Sequence, residues 1–343
     1  MSRFLVPPQQ TPTTTTSATP TFAVVIPAYQ AADTIGEAVA SALAQTKPAS
    51  EIIVCDDGST DELALALAPY RGRIELLQLP HRGAAQAKNA GVAFASTEFV
   101  TVLDADDIFT PGRLAALAEL AAHRPDLDIL ATDSMIDVDG STLGTWSEKE
   151  PFEVLDQRAA ILERCFLLQH SAVRRAALLA VGGFDTTTEP AEDWDAWIRL
   201  IFAGSGAGFV AEPLAHYRLR EGSFTSDRPR ALRGRVAALE KAREDPRLTH
   251  AERAIAEQSY SRQLRRALLV EAEAALRAHA PDARRRALAL GLAPGFPPVV
   301  RLKAMSAVVA PGIAAALLER REDSTRRRKP TAGEDRQMST RRP

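Results

Sequence analysis

The sequence predicts an α/β protein: a layer of mostly parallel strands flanked by helices, followed by a helical C-terminal extension. Three features predict it. From Phe22 onward, short apolar runs alternate with helix-length segments, a pattern that pairs strands in parallel through right-handed crossovers. The run Phe99-Val100-Thr101-Val102-Leu103 is β-branched or aromatic at most positions and too short for a helix; it ends in Asp104-Ala105-Asp106-Asp107. From Pro229 to Pro281 the chain is almost wholly Ala, Arg, Leu and Glu, which favours helix.

Each element follows in order. Residues 1–21 are rich in Thr, Pro and Ser, lack the apolar stretch of a secretory signal, and read as a disordered leader. Ala23 to Ile26 is a short buried strand. A helix from Thr34 to Ala44 puts Ile35, Val39 and Leu43 on one face, and Thr34 and Glu37 have capping-box spacing. Glu51 to Cys55 is the second strand. Ser59 and Glu62 repeat the capping-box spacing and open a helix toward Pro69. Ile74 to Leu79 is the third strand, Gly83 to Ala95 an Ala-rich helix, and Glu98 to Leu103 the fourth strand. Pro111 to Ala122 is a helix with Pro in its first turn. Asp128 to Val138 is a further strand, closed by an Asp139-Gly140 turn. Leu155 to Phe166 and Ala172 to Ala180 read as helices, the second stopped by Gly182 and Gly183. Glu192 to Ile201 is a helix with an acidic first turn. A last helical part, Val299 to Arg321, breaks at Pro311-Gly312, and disorder is expected from Glu322. The expected organisation is a leader 1–21, an α/β domain 22–226, a helical region 227–321 and a basic tail 322–343.

The 343 residues are 45% hydrophobic and 25% charged, which suits one large globular domain with an appendage. A formal net charge of −2 gives no case for nucleic acid, although Arg is dense from Arg320 on. Cys55 and Cys165 are the only cysteines; Cys55, inside an apolar run, reads as a core residue. Neither a disulfide framework nor a zinc spacing is present, so a reducing, cytoplasmic setting is expected. No apolar run reaches the roughly 18 residues that a membrane-spanning helix needs.

The Asp cluster carries the most chemistry. Three carboxylates in four positions after a buried strand bring hard oxygen ligands to the sheet's carboxyl edge, where open α/β sheets bind ligands. Acids packed this tightly repel one another and need a cation. Mg²⁺ or Mn²⁺ holding a phosphorylated substrate matches the oxygen donors. The plainer reading is a capping-and-turn cluster before the helix near Pro111. Asp56-Asp57-Gly58-Ser59-Thr60, alone, is a turn. Glu192-Asp193, alone, is favourable acid placement at a helix N-terminus, but that does not account for Trp194 and Trp197 behind it.

In chain order, four segments carry a wider resemblance. They are Val24-Val25-Ile26-Pro27-Ala28-Tyr29, then Asp56-Asp57-Gly58-Ser59-Thr60, then Asp104-Ala105-Asp106-Asp107, then Gly182-Gly183-Phe184-Asp185 with Glu192-Asp193-Trp194-Asp195. Over residues 22–226 the chain resembles the family 2 glycosyltransferases of non-processive bacterial type, inverting enzymes of the GT-A (nucleotide-diphospho-sugar transferase) fold. The resemblance implies that Pro27, Ala28 and Tyr29 receive the donor's nucleoside, that Asp57 meets the base, and that Asp56 shapes the loop. It implies donor contacts from Asp104 and Asp106, with Asp106 and Asp107 closest to a divalent metal, Mn²⁺ or Mg²⁺, that bridges the two phosphates. Asp193 matches the general base, with Glu192 and Trp194 on the acceptor side and Trp197 in the core. Lys88, in the segment Gly83 to Asn89, matches a phosphate contact; His170 and Tyr217-Arg218 with Ser223 are lesser matches. Where many relatives have Asn after the Tyr, this chain has Gln30.

Other readings lose ground. The turn after the first strand, Pro27-Ala28-Tyr29-Gln30, has no G-x-G-x-x-G, and a P-loop lysine is absent. The Q-x-x-R-W of processive synthases is missing, since the tryptophans are Trp146, Trp194 and Trp197. The resemblance therefore implies transfer of a single sugar from a nucleotide-diphosphate sugar to a saccharide or lipid-linked saccharide acceptor, in cell-envelope or surface-polysaccharide synthesis. The alternative is a catalytically inactive sugar-nucleotide-binding or scaffold protein on the same fold; losing Asp106, Asp107 or Asp193 would have signalled it. Ala304 to Leu318 is apolar, interrupted, and flanked by basic residues, which predicts peripheral contact with the cytoplasmic face of a membrane.

Overall fold

The computed structural model describes residues 3–8, 19–219 and 227–326. The strands are β1 (Phe4–Leu5), β2 (Phe22–Ala28), β3 (Glu51–Asp56), β4 (Glu75–Gln78), β5 (Phe99–Val102), β6 (Ile108–Phe109), β7 (Ile129–Val138), β8 (Ser141–Thr145), β9 (Ala172–Arg174) and β10 (Ala207–Leu219). Helices α1 (Ile35–Leu43), α2 (Leu63–Ala66), α3 (Ala84–Phe94), α4 (Arg113–His123), α5 (Trp146–Lys149), α6 (Gln157–Glu163), α7 (Arg175–Ala180) and α8 (Glu192–Phe202) alternate with them. Helices α9 (Arg228–Arg243), α10 (His250–Arg277), α11 (Ala283–Leu292), α12 (Pro298–Val309) and α13 (Pro311–Arg326) complete the chain.

The sheet runs β1-β10-β7-β9-β5-β2-β3-β4, with β6 on β10 and β8 on β7. The half β5-β2-β3-β4 is parallel throughout. Strand β2 explains why: FAVVIPA is buried along its length, as expected of a strand covered on both faces. Alternate residues go to opposite cores. Ala23 and Val25 join the side covered by α3, α6 and α8, while Val24 and Ile26 join the side covered by α1 and α4. The register pairs Ala28 with Asp56 and Val25 with Val102, so the three strands end at one edge. Beyond β5 the direction reverses: β9 is antiparallel to both β5 and β7. The acid cluster leaves β5 at this seam. On the far side, β10 runs parallel to β7 with register shifts around Pro213, and its end pairs with β6, which carries Arg218 back over Asp106 and Asp107.

Several expectations are corrected. Residues 3–8, assigned to the leader, include an edge strand paired with β10, because the Arg3 side chain reaches Glu119 and Glu212. The capping boxes at Thr34/Glu37 and Ser59/Glu62 do not form; Thr34 makes no side-chain cap, and Ser59 donates its backbone N–H to Asp56 instead. Ala172 to Arg174 is a strand, since it fills the slot between β5 and β7 before the helix begins. By packing, the chain divides at Ser261/Arg262, not near residue 227, because α9 and the start of α10 contribute Leu239, Ala242, Leu248 and Ala256 to the α/β core. Helix α13 carries through residues 322–326, which were expected to be disordered; the rest of the expected tail lies outside the described residues, as do Ser223 and most of the leader.

The unit from Arg262 has small cores of its own, built mainly of alanine: Ala275, Ala283, Ala287 and Ala307, and separately Ala272 with Ala304. Among the described residues, no helix is long and apolar enough to cross a membrane.

Candidate active site

At the end of β2, Pro27 and Ala28 are largely covered, and Tyr29 emerges 44% exposed. Its ring stacks on His81 at 4.1 Å and 19°. Asp57, at the end of β3, is buried and highly organised. It accepts the backbone N–H groups of Arg82 and Gly83, each at 2.8 Å, and lies 2.9 Å from the His81 ring nitrogen. These are the orphan donors of an incipient helix, so Asp57 caps α3 from another element. Gly83 sits at φ +99°, and a Cβ there would meet the Glu189 carboxylate at 2.8 Å. Glu189 itself accepts the N–H of Ala85 at 2.6 Å. Gln30, the departure noted in the sequence, clamps the following loop: its amide donates to Thr60 at 2.8 Å and its oxygen accepts from Asp61 at 3.0 Å. His81 and Glu189 had no sequence signal; both act only through tertiary neighbours.

Asp104, Asp106 and Asp107 follow β5. The amide nitrogen of Gln169 donates to Asp104 and to Asp107, at 3.3 Å each. Asp107 also accepts the backbone N–H of Arg218 at 2.8 Å, and Arg218 Nε donates to the Asp106 carbonyl. Burial raises the Asp104 carboxyl above the ordinary range, with Glu192 adding to the rise and Lys88 opposing it. Asp107 is raised further: by burial first, then by Asp104 and Asp106. Both carboxyls therefore hold a proton more readily than a solvated aspartate, chiefly because they are buried. Among the described residues, no three His, Cys, Asp or Glu side chains are arranged to enclose a metal ion. The donor set still fits a hard divalent cation, because such ions are commonly held by one or two carboxylates with the rest of the shell from phosphate and water.

Asp193 stands in the first turn of α8 and accepts the N–H of Trp194 at 2.7 Å. Burial, and then the adjacent Glu192, lift it up to about 6, against the pull of Lys88. Lys88 and Glu192 form an ion pair at 2.6 Å, with 5% and 4% exposure. Burial works against the Lys88 ammonium, but Glu192, Asp104 and Asp193 more than restore it. Three acids from two distant segments therefore converge on one cation. The second Glu192 oxygen is buried without a hydrogen-bond partner. Asn89 fixes the geometry from behind, exchanging two hydrogen bonds with the backbone of Phe184 at 2.7 and 2.8 Å.

Lys88, matched in the sequence to a phosphate contact, makes its ion pair with Glu192. Two assignments change. Trp194, expected on the acceptor side, is a core residue at 3% exposure whose indole N–H donates to the Ile161 carbonyl. His170 is wholly buried, and burial, with Arg113, holds it well below the ordinary histidine range. Trp197 is in the core, as the sequence suggested. Gln169 was missed.

Residues 23–182 match the family model for glycosyl transferase family 2. Over those residues the chain is similar to the family 2 glycosyltransferases. The succinoglycan biosynthesis protein ExoU of Rhizobium meliloti (strain 1021) is 33% identical over 215 residues, 55% of this chain and 60% of ExoU. The Escherichia coli glucosyltransferase WfgD, named for UDP-Glc and α-D-GlcNAc-diphosphoundecaprenol, is 25% identical over 229 residues, 65% of this chain and 87% of WfgD. The Staphylococcus aureus TarS 1–349 structure with UDP-GlcNAc superposes with a TM-score of 0.60 at 20% identity, covering 90% of this chain and 92% of that one. The Pyrobaculum calidifontis mannosyltransferase PcManGT, solved with GDP-Man and Mn²⁺, gives 0.56 at 22% identity, covering 88% and 87%. The fold is thus that of the GT-A glycosyltransferases, as the sequence predicted. The family match includes Tyr29, Asp57, Lys88 and the Asp104 to Asp107 cluster; Asp193 lies beyond it.

Proposed function

We infer that this chain transfers one sugar from a nucleotide-diphosphate sugar to an acceptor hydroxyl, with inversion and with a divalent metal. The observation that supports the reading is the buried Lys88–Glu192 ion pair at 2.6 Å, which ties the start of α8, with Asp193 in its first turn, to the middle of α3. An acid with a raised carboxyl together with a carboxylate cluster supplies the two halves a displacement needs.

The nucleoside seats against Pro27, Ala28 and Tyr29, with Asp57 at the base. Asp104 and Asp106 face the donor, and Asp106 and Asp107 would hold Mn²⁺ or Mg²⁺. The metal, when bound, supplies Lewis-acid stabilisation of the leaving diphosphate. Asp193 accepts the proton of the acceptor hydroxyl as that oxygen attacks the anomeric carbon from the far face; a single displacement inverts the centre. Glu192, paired to Lys88 through one oxygen, offers its unpartnered oxygen to an acceptor hydroxyl. Lys88 supports the site through that pair, keeping Asp193 ionisable. Most of the acceleration comes from positioning and from offsetting charge on the leaving group. The relatives' names support polysaccharide synthesis and a saccharide or lipid-linked saccharide acceptor; cell-envelope synthesis at the cytoplasmic membrane face belongs to the same proposal.

The test is donor turnover with recombinant protein, Mn²⁺ or Mg²⁺ and a panel of UDP-, GDP-, CDP- and dTDP-sugars. Asp193→Asn should abolish transfer and leave donor affinity near normal. Full rate in that variant would move the base elsewhere. Donor affinity without turnover in the parent, across acceptors, would make the chain a binding protein instead.

A further inference from the structure

Helices α11 to α13 bury small residues and expose large ones. Ala283, Ala287, Ala304, Ala307 and Ala315 are at most 5% exposed, whereas Leu292, Val299, Leu302, Val309, Ile313 and Leu317 are 59–81% exposed. Water favours the opposite order, since each large aliphatic left outside forgoes about 1.5–3 kcal/mol of burial. The exposed residues are also patterned. On α12, Val299, Leu302 and Val309 recur at helical spacing along one stripe, with Met305 between them 40% exposed. On α13, Ile313 and Leu317 stand one turn apart. The two helices are in contact with each other, and α12 also contacts α11. Single exposed apolar residues are ordinary, but a run of six along adjacent helices is an interaction surface.

Charge selects the occupant. From Ala283 to Arg326, the end of α13, the chain has eight basic residues, Arg284, Arg285, Arg286, Arg301, Lys303, Arg320, Arg321 and Arg326, against three acidic ones, Glu319, Glu322 and Asp323, all in the last turns of α13 and beyond the aliphatic stripe. Arg286 is offset by Asp282 at 2.8 Å and Glu271 at 2.7 Å. Lys303, between the stripe residues Leu302 and Met305, is exposed. Two copies meeting through such faces would set like charges together. An anionic bilayer offers apolar depth and negative headgroups at once. We propose that α11 to α13 form a docking face for an anionic lipid bilayer, the aliphatic stripe entering the headgroup–acyl boundary and the basic residues of α11 and α12 adding the attraction. The face is argued from this unit alone and stands or falls apart from the transfer reading.

The experiment is co-flotation of the full chain with phosphatidylcholine vesicles, with and without about 30% phosphatidylglycerol. The parent should float with the anionic vesicles, lose most of that recovery in high salt, and barely float with neutral ones. Val309→Glu/Ile313→Glu/Leu317→Glu should lower recovery at least tenfold while keeping the parent's thermal unfolding. A second variant, Arg284→Gln/Lys303→Gln, leaves the apolar stripe intact and should weaken recovery severalfold. Equal recovery of parent and triple variant would overturn the proposal, as would equal binding to neutral vesicles. Absence of binding together with a doubled solution mass that the triple variant abolishes would assign the face to a second copy of the chain instead.

Discussion

Burial lifts Asp193 from the ordinary aspartate value of 3.8 up to about 6; Glu192 adds to the rise and Lys88 opposes it. A base must be unprotonated to act, so kcat/KM should fall on the acid side through about pH 6. The neighbours set the direction of any shift. Glu192→Gln removes a negative charge and should move that limb to lower pH; Lys88→Met removes a positive one and should move it higher. A pH–rate profile of the three proteins checks both signs. The raised value also bears on stability. An acid whose folded value is raised favours the native state when protonated, so its contribution is fully present below 3.8 and is lost as pH rises through about 6. At pH 7.5 Asp193→Asn should therefore be inactive yet more stable than the parent, by about 2–3 kcal/mol at most. Denaturant melts at pH 7.5 and pH 4 would show the gain at the first and little at the second. At this scale the sequence singled out Asp57, Asp104 and Asp193 because each falls in a short motif where a strand ends or a helix begins. Gln169 was not. It lies in an irregular stretch, and its partners, Asp104 and Asp107, are more than sixty residues away.

Helix α3 shows how an element can matter more than its own residues suggest. Its N-terminus is held by Asp57 and Glu189, its middle carries Lys88 and Asn89, and Gly91 lets it lie against β2 and β3. A Cβ at Gly91 would meet the Val25 side chain and stand 2.9 Å from Cys55 Sγ. Gly91→Val should thus cost about 1–3 kcal/mol through overpacking, and lift Lys88 away from Glu192. Glu189→Ala should cost about 1 kcal/mol, the usual value of a lost N-terminal cap. Thermal melts rank the two, and transfer should fall further in Gly91→Val than its stability loss explains. Helix and strand alternation was legible because β2, β3 and β5 are buried apolar runs. The capping boxes failed because spacing alone does not orient the side chain. Strand β9 was hidden because its three residues run directly into α7. Strand β10 was hidden by Pro213 and a bulged register.

For the whole molecule, the deciding quantity is the charge of the acid cluster. Among the described residues no three His, Cys, Asp or Glu side chains enclose a cation, so the proposed metal would need the donor's phosphates to complete its shell. Mn²⁺ or UDP separately should therefore raise Tm little, and the two together clearly more than their sum. Saturation at about a hundredfold over Kd is worth about 2.7 kcal/mol, several degrees for a chain of this class. A melt series over the two ligands tests it, with Asp107→Asn abolishing the joint effect. The catalytic unit was readable in the sequence from motif order. The division at Ser261/Arg262 was not, because Ala-rich helices look alike whether they pack on the sheet or on one another.

The amide of Gln169 stands between Asp104 and Asp107, touching both from one nitrogen. A neutral dipole thus keeps two mutually repelling groups at a fixed gauge before anything arrives. Loading of the proposed cation would then be an exchange of partners across a ready-made gap, with little chain to reorder.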